Sequence, residues 1–248
     1  MPDPLDLEPG IRDQLRRAGT APLASQLLKR GLRNVFIPRV SAVSPLHAGM
    51  VGPAYTLRFI PMREDLAHAS SVANPANPQR AAIEQTPPGH VLVIATGGEL
   101  GSGCLGDILA ARLLQRGVEG VLSDGAVRDS RELRELALPI FCAAFAAPPS
   151  FTRMMAADGG RPIGCGGVPV FPGDIVVADD DGAIVIPRHL AAEVAGDGCE
   201  QDRLERFVRK RVDGGASIAG LYPPNEAALA AYRRWVDAGE SETALRDA

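Results

Sequence analysis

Paired cysteines are missing from this chain. Its four cysteines, Cys104, Cys142, Cys165 and Cys199, stand far apart and form no CxxC. That spacing suits neither a zinc site nor a disulfide framework, and it leads to the expectation of a reduced, cytoplasmic setting. The four histidines, His47, His68, His90 and His189, show no metal-ligand spacing and read as structural or exposed. No apolar run reaches the roughly 18 residues of a membrane span, so no membrane partner is expected. Met1 to Pro9 is acidic and proline-rich, unlike a secretory signal. A basic excess is absent too. The net charge is -4, whereas nucleic-acid binding wants a basic face. Gly97-Gly98-Glu99-Leu100-Gly101 lacks the glycine spacing of a dinucleotide loop.

What is present is 248 residues, 46% of them hydrophobic, enough to bury a sizeable core. No linker, repeat or low-complexity tract divides them. The expectation is a single α/β domain over residues 1–248, with its core at about 20–207 and a C-terminal extension at about 213–248.

Ile11 to Gly31 reads as helical, with Thr20 as an N-cap inside the run and Gly31 as its stop. Val35-Phe36-Ile37 and the alternating Ala54 to Ile60 read as strands. A polar, irregular stretch from Met62 to Pro88 holds a short helix around Asn77 to Glu84. His90 to Ala95 is a continuous apolar run, the pattern of a buried strand. Thr96 to Gly106 is a loop with five glycines. A helix follows from Ile108 to Arg116, closed by Gly117. Next come a strand from Val118 to Ser123, a short helix from Ser130 to Leu136 and a strand at Ile140 to Cys142. Val168 to Val170, Asp174 to Ala178 and Ala183 to Ile186 are β segments. Asp179-Asp180-Asp181-Gly182 joins the last two as a hairpin turn, acidic like a calcium loop but without the rest of that pattern. Arg188 to Val212 reads as a charged amphipathic helix, and one more helix follows Tyr222-Pro223-Pro224.

The chemistry concentrates in Gly106-Asp107 and, twenty residues later, Arg128-Asp129-Ser130-Arg131-Glu132. Asp107 opens a helix, where it either caps the helix or joins a site built on the free amides of Ile108 and Leu109. The glycines before it let a ligand approach the backbone. Arg128 and Asp129 follow a strand and its turn, where ligands bind in α/β folds. Arg128 is a candidate carboxylate clamp and Asp129 a candidate metal ligand; a surface ion pair, or a cap from Asp129 or Ser130, is the plainer reading. Glu99 reads as a solvated loop acid, Asp124 as a turn residue, and Cys104 as a poor nucleophile with no histidine near it in sequence.

Gly106-Asp107, Arg128-Asp129 and Glu132 resemble the signature of the family that joins the regulator of ribonuclease activity A to the class II 4-hydroxy-4-methyl-2-oxoglutarate aldolases. Val51-Gly52-Pro53-Ala54-Tyr55-Thr56, Gly120 to Gly125, Gly167 to Asp174, Ala178 to Gly182 and Val185-Ile186-Pro187 agree with it. The resemblance spans about Thr20 to Phe207 and implies a swivelling β/β/α fold, here with N- and C-terminal helical extensions, assembled as a homotrimer or hexamer. It implies that Asp129 binds Mg2+ or Mn2+, that Asp107 holds a metal-bound water, and that Arg128 and the amides after Gly106 (Ile108, Leu109) bind a pyruvate-like unit. It also implies a glutamate from the C-terminal helix of a neighbouring subunit, best matched by Glu205 and next by Glu200. The expected function is a metal-dependent lyase cleaving the C3–C4 bond of a 2-oxo acid, as an aldolase or an oxaloacetate decarboxylase. The alternative is a non-catalytic protein that binds and regulates a ribonuclease. A methyltransferase, a label some such chains carry, ranks last because no glycine-rich loop would hold its cofactor. Longer termini and the stretch from Pro61 to Pro88 depart from the compact aldolases.

Overall fold

The structure is a computed structural model and describes residues 7–45, 49–66 and 74–246; His47 and His68 lie outside the described residues. The chain begins with two helices, α1 (Pro9–Ala18) and α2 (Thr20–Lys29). The single helical run expected here is broken by Gly19, whose φ of 73° an L side chain rarely adopts. Gly19, and not Thr20, occupies the cap position of α2.

The strands follow as β1 (Phe36–Ile37), β2 (Ser41–Ala42), β3 (Met50–Pro61), β4 (Val91–Ala95), β5 (Gly120–Ser123), β6 (Ala126–Val127), β7 (Ile140–Cys142), β8 (Ala144–Phe145), β9 (Met154–Gly159), β10 (Ile163–Cys165), β11 (Val168–Val170), β12 (Ile175–Asp179) and β13 (Gly182–Ile186). The main sheet runs β1-β13-β12-β3-β4-β5-β7-β2. Strands β3, β4, β5 and β7 are mutually parallel, and the pairs outside them are antiparallel. On the edge of β3 away from β4, β12 pairs with its first half and β9 with its second half. β10 and β11 form a separate two-stranded ribbon, as do β6 and β8.

The parallel centre needs helical crossovers. α3 (Pro78–Gln85) and α4 (Asp107–Gln115) supply them beside α5 (Ser130–Glu135). α3 starts where expected: Asn77 Oδ1 accepts from the Gln79 amide at 3.0 Å, and Pro78 follows the cap. All five residues of β4 are buried, because both faces of the strand are covered. Leu92 and Ile94 pack with Ile83, Ala110 and Leu113 of α3 and α4. Val91, Val93 and Ala95 pack toward Cys165, Val168 and Val170 of the β10–β11 ribbon. The β12–β13 hairpin turns at Asp180-Asp181, with Asp179 paired to Gly182.

α6 (Ala191–Asp213) crosses back over α1 and α2. Val194 and Ala195 pack there with Leu15, Leu23, Leu27 and the outer residues of β12 and β13. The tail holds two helices where one was expected, α7 (Glu226–Asp237) and α8 (Glu242–Arg246). They close on the second half of α6 through Phe207, Tyr232, Trp235 and Leu245. The short strands β2, β6, β8 and β10 had no reading in the sequence, since two or three residues show no period; the six-residue β9, Met154-Met155-Ala156-Ala157-Asp158-Gly159, had none either, since it does not alternate.

Candidate active site

The glycine loop after β4 and the turn after β5 meet at the start of α4. The Cys104 amide donates to Ala126 O at 2.8 Å and the Arg128 amide to Leu105 O at 2.9 Å, stitching the two segments together. The contact is too close for side chains on the loop. A Cβ at Gly103 would lie 2.8 Å from Arg128 Cβ, and one at Gly106 would lie 2.5 Å from Asp129 Oδ2. Glycine at these positions is what lets Arg128 and Asp129 reach the helix start.

Asp107 is the first residue of α4, not its cap; Gly106 holds that position. Its amide donates to Asp129 Oδ2 at 3.4 Å, while Arg128 Nε donates to Asp129 Oδ1 at 3.2 Å. The Asp129 carboxylate therefore bridges the positive end of α4 and a guanidinium. Asp129 stands at the cap position of α5, yet its side chain makes no cap bond there. Its backbone is left-handed at φ 59°, ψ 44°, an uncommon state for a residue other than glycine and one found at functional sites. The plain helix-cap readings of Asp107 and Asp129 both give way to this arrangement.

The two residues line one cavity of about 370 Å³ together with Gly106, Ile108, Leu109 and Arg128. Ile108 and Leu109 lie in the first turn of α4, where amides have no partner within the helix. Gln79 and Arg80 from α3 and Phe151 from the turn Ser150–Thr152 complete the walls. None of these three was singled out from the sequence, because α3 approaches the site only through tertiary packing. Gln79 is buried and donates to Cys104 O at 2.7 Å.

Cys104 also borders this cavity. Burial pushes its thiol up to about 12, although the Ser123 hydroxyl at 3.3 Å opposes the shift, so it offers neither a nucleophile nor a thiolate ligand at neutral pH. Asp124 is a buried strut: Oδ1 accepts from the Thr96 amide and hydroxyl, and Oδ2 from the Gly166 amide. Glu99 Oε1 accepts from the Gly101 amide and faces Arg153 at 3.8 Å. Glu132 is exposed. Glu205 lies on α6, accepts from Gln201 Nε2 at 2.8 Å, and borders a different depression with Val208 and Tyr222. Glu200 accepts from the Tyr232 hydroxyl at 2.7 Å.

The donor set fits a hard divalent cation. It offers carboxylate oxygens from Asp107 and Asp129, no imidazole and no available thiolate, the choice that suits magnesium or manganese with several waters retained. Among the described residues no three His, Cys, Asp or Glu side chains come together as a metal cluster. No helix among them is long and apolar enough to cross a membrane.

The chain is similar to known proteins over most of its length. It is 31% identical over 204 residues to a putative 4-hydroxy-4-methyl-2-oxoglutarate aldolase of Halalkalibacterium halodurans, covering 82% of this chain and 84% of that one. It is 28% identical over 215 residues to Protein DlpA of Legionella pneumophila, covering 86% of this chain; the chain spans about a third of that relative's length, 33%. The crystal structure of Streptomyces coelicolor RraAS2, described as an unusual member of the RNase ES inhibitor RraA protein family, superposes with a TM-score of 0.73 at 32% identity, covering 82% of this chain and 97% of that one. An uncharacterized protein from Pseudomonas syringae shares the fold, with a TM-score of 0.77 at 24% identity over 88% of this chain and 95% of that one. The RraA-like family, described as Aldolase/RraA, matches residues 20–185, and the chain belongs to that family.

Proposed function

We propose that this protein is a divalent-metal-dependent lyase that cleaves the C3–C4 bond of a 2-oxo acid to release pyruvate. The observation that carries the reading is the Asp129 carboxylate shared between Arg128 and the first amide of α4. The aldolase names of similar proteins support the reaction class.

Asp107 and Asp129 would hold Mg2+ or Mn2+, with Asp107 acting through water. Bound there, the cation supplies Lewis-acid stabilisation of the enolate that C–C cleavage leaves behind. Arg128 grips the C1 carboxylate and the C2 carbonyl oxygen and neutralises the charge that grows there. The amides of Ile108 and Leu109, at the positive end of α4, orient the same carboxylate. A water held by Asp107 takes the C4 hydroxyl proton and returns a proton to C3. With oxaloacetate the leaving fragment is carbon dioxide. The family resemblance adds a third carboxylate from a neighbouring copy in a homotrimer or hexamer, best matched by Glu205 and next by Glu200.

The test is pyruvate release from oxaloacetate and from 4-hydroxy-4-methyl-2-oxoglutarate, with magnesium and then with chelator, against Asp129→Ala. Oxaloacetate decarboxylates with metal alone, so the variant sets the baseline. Turnover that needs both metal and Asp129 is expected; equal rates in the variant would refute the assignment. The name of the 32%-identical Streptomyces relative favours a second reading, a protein that restrains a ribonuclease by contact. Metal-insensitive capture of a ribonuclease by Asp129→Ala protein would support it.

A further inference from the structure

Beside the candidate site lies a second cavity of about 210 Å³. The two share Gln79, Ser150 and Phe151 as a common wall, so a molecule anchored at Arg128 and Asp129 has the second cavity next to it. The chemistry changes across that wall. The first cavity carries Arg80, Asp107, Arg128 and Asp129. The second has no charged side chain among the described residues that line it.

Its floor is apolar and adaptable. Met62, Met154 and Met155, three of the five methionines in the chain, meet there with Phe59 and Ala156. Methionine conforms to irregular apolar groups and contacts aromatic rings well. The antiparallel pairing of β3 with β9 builds this floor, placing Phe59 opposite Ala156 and Pro61 opposite Met154. Two of the polar groups beside it are already engaged: Asn77 Oδ1 caps α3 and the Gln79 side-chain amide donates to Cys104 O. A carboxylate pushed into this space would meet no cation among the described residues that line it, which is costly.

We propose that the substrate is a 4-hydroxy-2-oxo acid whose C4 carries an apolar group, alkyl or aryl, and that this second cavity receives it. The proposal rests on the lyase reading and narrows its substrate class. Cleavage moves the C3–C4 electron pair to C3, which gains a proton. The C4 hydroxyl loses its proton as its oxygen becomes a carbonyl. The products are pyruvate and an apolar aldehyde or ketone.

The experiment compares pyruvate release by the full chain with Mg2+ from 4-hydroxy-2-oxo-4-phenylbutanoate and from 4-hydroxy-4-methyl-2-oxoglutarate. The wild type is expected to favour the phenyl compound in kcat/KM by about tenfold or more. Ala156→Phe fills the cavity and Met155→Glu charges it; each is expected to cut that ratio at least about tenfold, mainly through KM. Met155 is only half-buried, which keeps the second variant informative if the first fails to fold. Calorimetric binding of 2-oxo-4-phenylbutanoate against 2-oxoglutarate reads the same preference without turnover, and tighter binding of the phenyl acid is expected. Preference for the dicarboxylate in both assays, or a ratio unmoved by both folded variants, overturns the proposal and leaves the lyase standing. Absence of Asp129-dependent cleavage of either compound overturns the lyase reading and, with it, this substrate class.

Discussion

The carboxylate of Asp129 fills the space that a side chain on Gly106 would need: a Cβ there would lie 2.5 Å from Asp129 Oδ2. Gly106 has φ -124°, an angle any residue adopts, so alanine at this position leaves the backbone comfortable and collides with the carboxylate instead. Gly106→Ala is expected to displace Asp129, with a fall of about 100-fold or more in Asp129-dependent pyruvate release, of the size a small misplacement costs. The loss of stability should stay within about 1–3 kcal/mol, so thermal unfolding and turnover measured together separate the two effects.

Asp129 itself offers a cleaner dissection. Its left-handed backbone is tolerated by asparagine better than by alanine. Asp129→Asn should therefore unfold at nearly the wild-type temperature while losing manganese affinity, measured by calorimetry. Asp129→Ala should lose the same affinity and unfold earlier. An asparagine variant that binds manganese as tightly as wild type would remove Asp129 from the proposed metal site.

The start of α2 is held from far away. Asp179 Oδ2 accepts from the Thr20 amide and Oδ1 from the Thr20 hydroxyl, each at 2.7 Å. Asp179→Ala removes a cap in all but sequence position and should cost about 1–2 kcal/mol. Denaturant titration reads this, and pyruvate release should not change.

Thiol labelling separates the four cysteines. Cys104, Cys142 and Cys165 are buried, and burial raises all three thiols, Cys104 to about 12 and Cys142 to about 11. None forms thiolate at pH 8, so native protein treated with iodoacetamide should gain one adduct, at Cys199, which is only half-buried. Unfolded protein should gain four; mass spectrometry counts them.

The single tryptophan reports on the tail. Trp235 is 1% exposed and lies 5.5 Å from the Phe207 ring, centroid to centroid. Trp235→Ala should cost about 3–5 kcal/mol. Its indole N–H has no hydrogen-bond partner among the described residues, so Trp235→Phe should cost less than about 1.5 kcal/mol. Equal losses in the two variants, measured by circular dichroism, would show that the tail does not depend on this packing.

Where neighbouring residues carry the signal, reading along the chain was enough. The apolar run of β4 is legible because two covered faces need apolar residues at every position. Asn77-Pro78 marks the start of α3, and Gly117, with φ 73°, ends the turn after α4. The Gly106-Asp107 and Arg128-Asp129 pairs stand out as residue types, and the family signature joins them. Their geometry is another matter. That Asp129 turns from its own helix to the amide of Asp107, that Asp179 caps a helix 159 residues earlier, and that Gln79, Arg80 and Phe151 reach the site all depend on contacts between distant segments. Local propensity holds no record of such contacts, because their energy appears only once the sheet and its crossovers have packed. The amino-acid order by itself determined the family, the buried run of β4 and the residue types of the candidate site; the tertiary structure alone decided the parallel pairing at the sheet centre, the left-handed Asp129, the walls around it and the methionine cavity at its side.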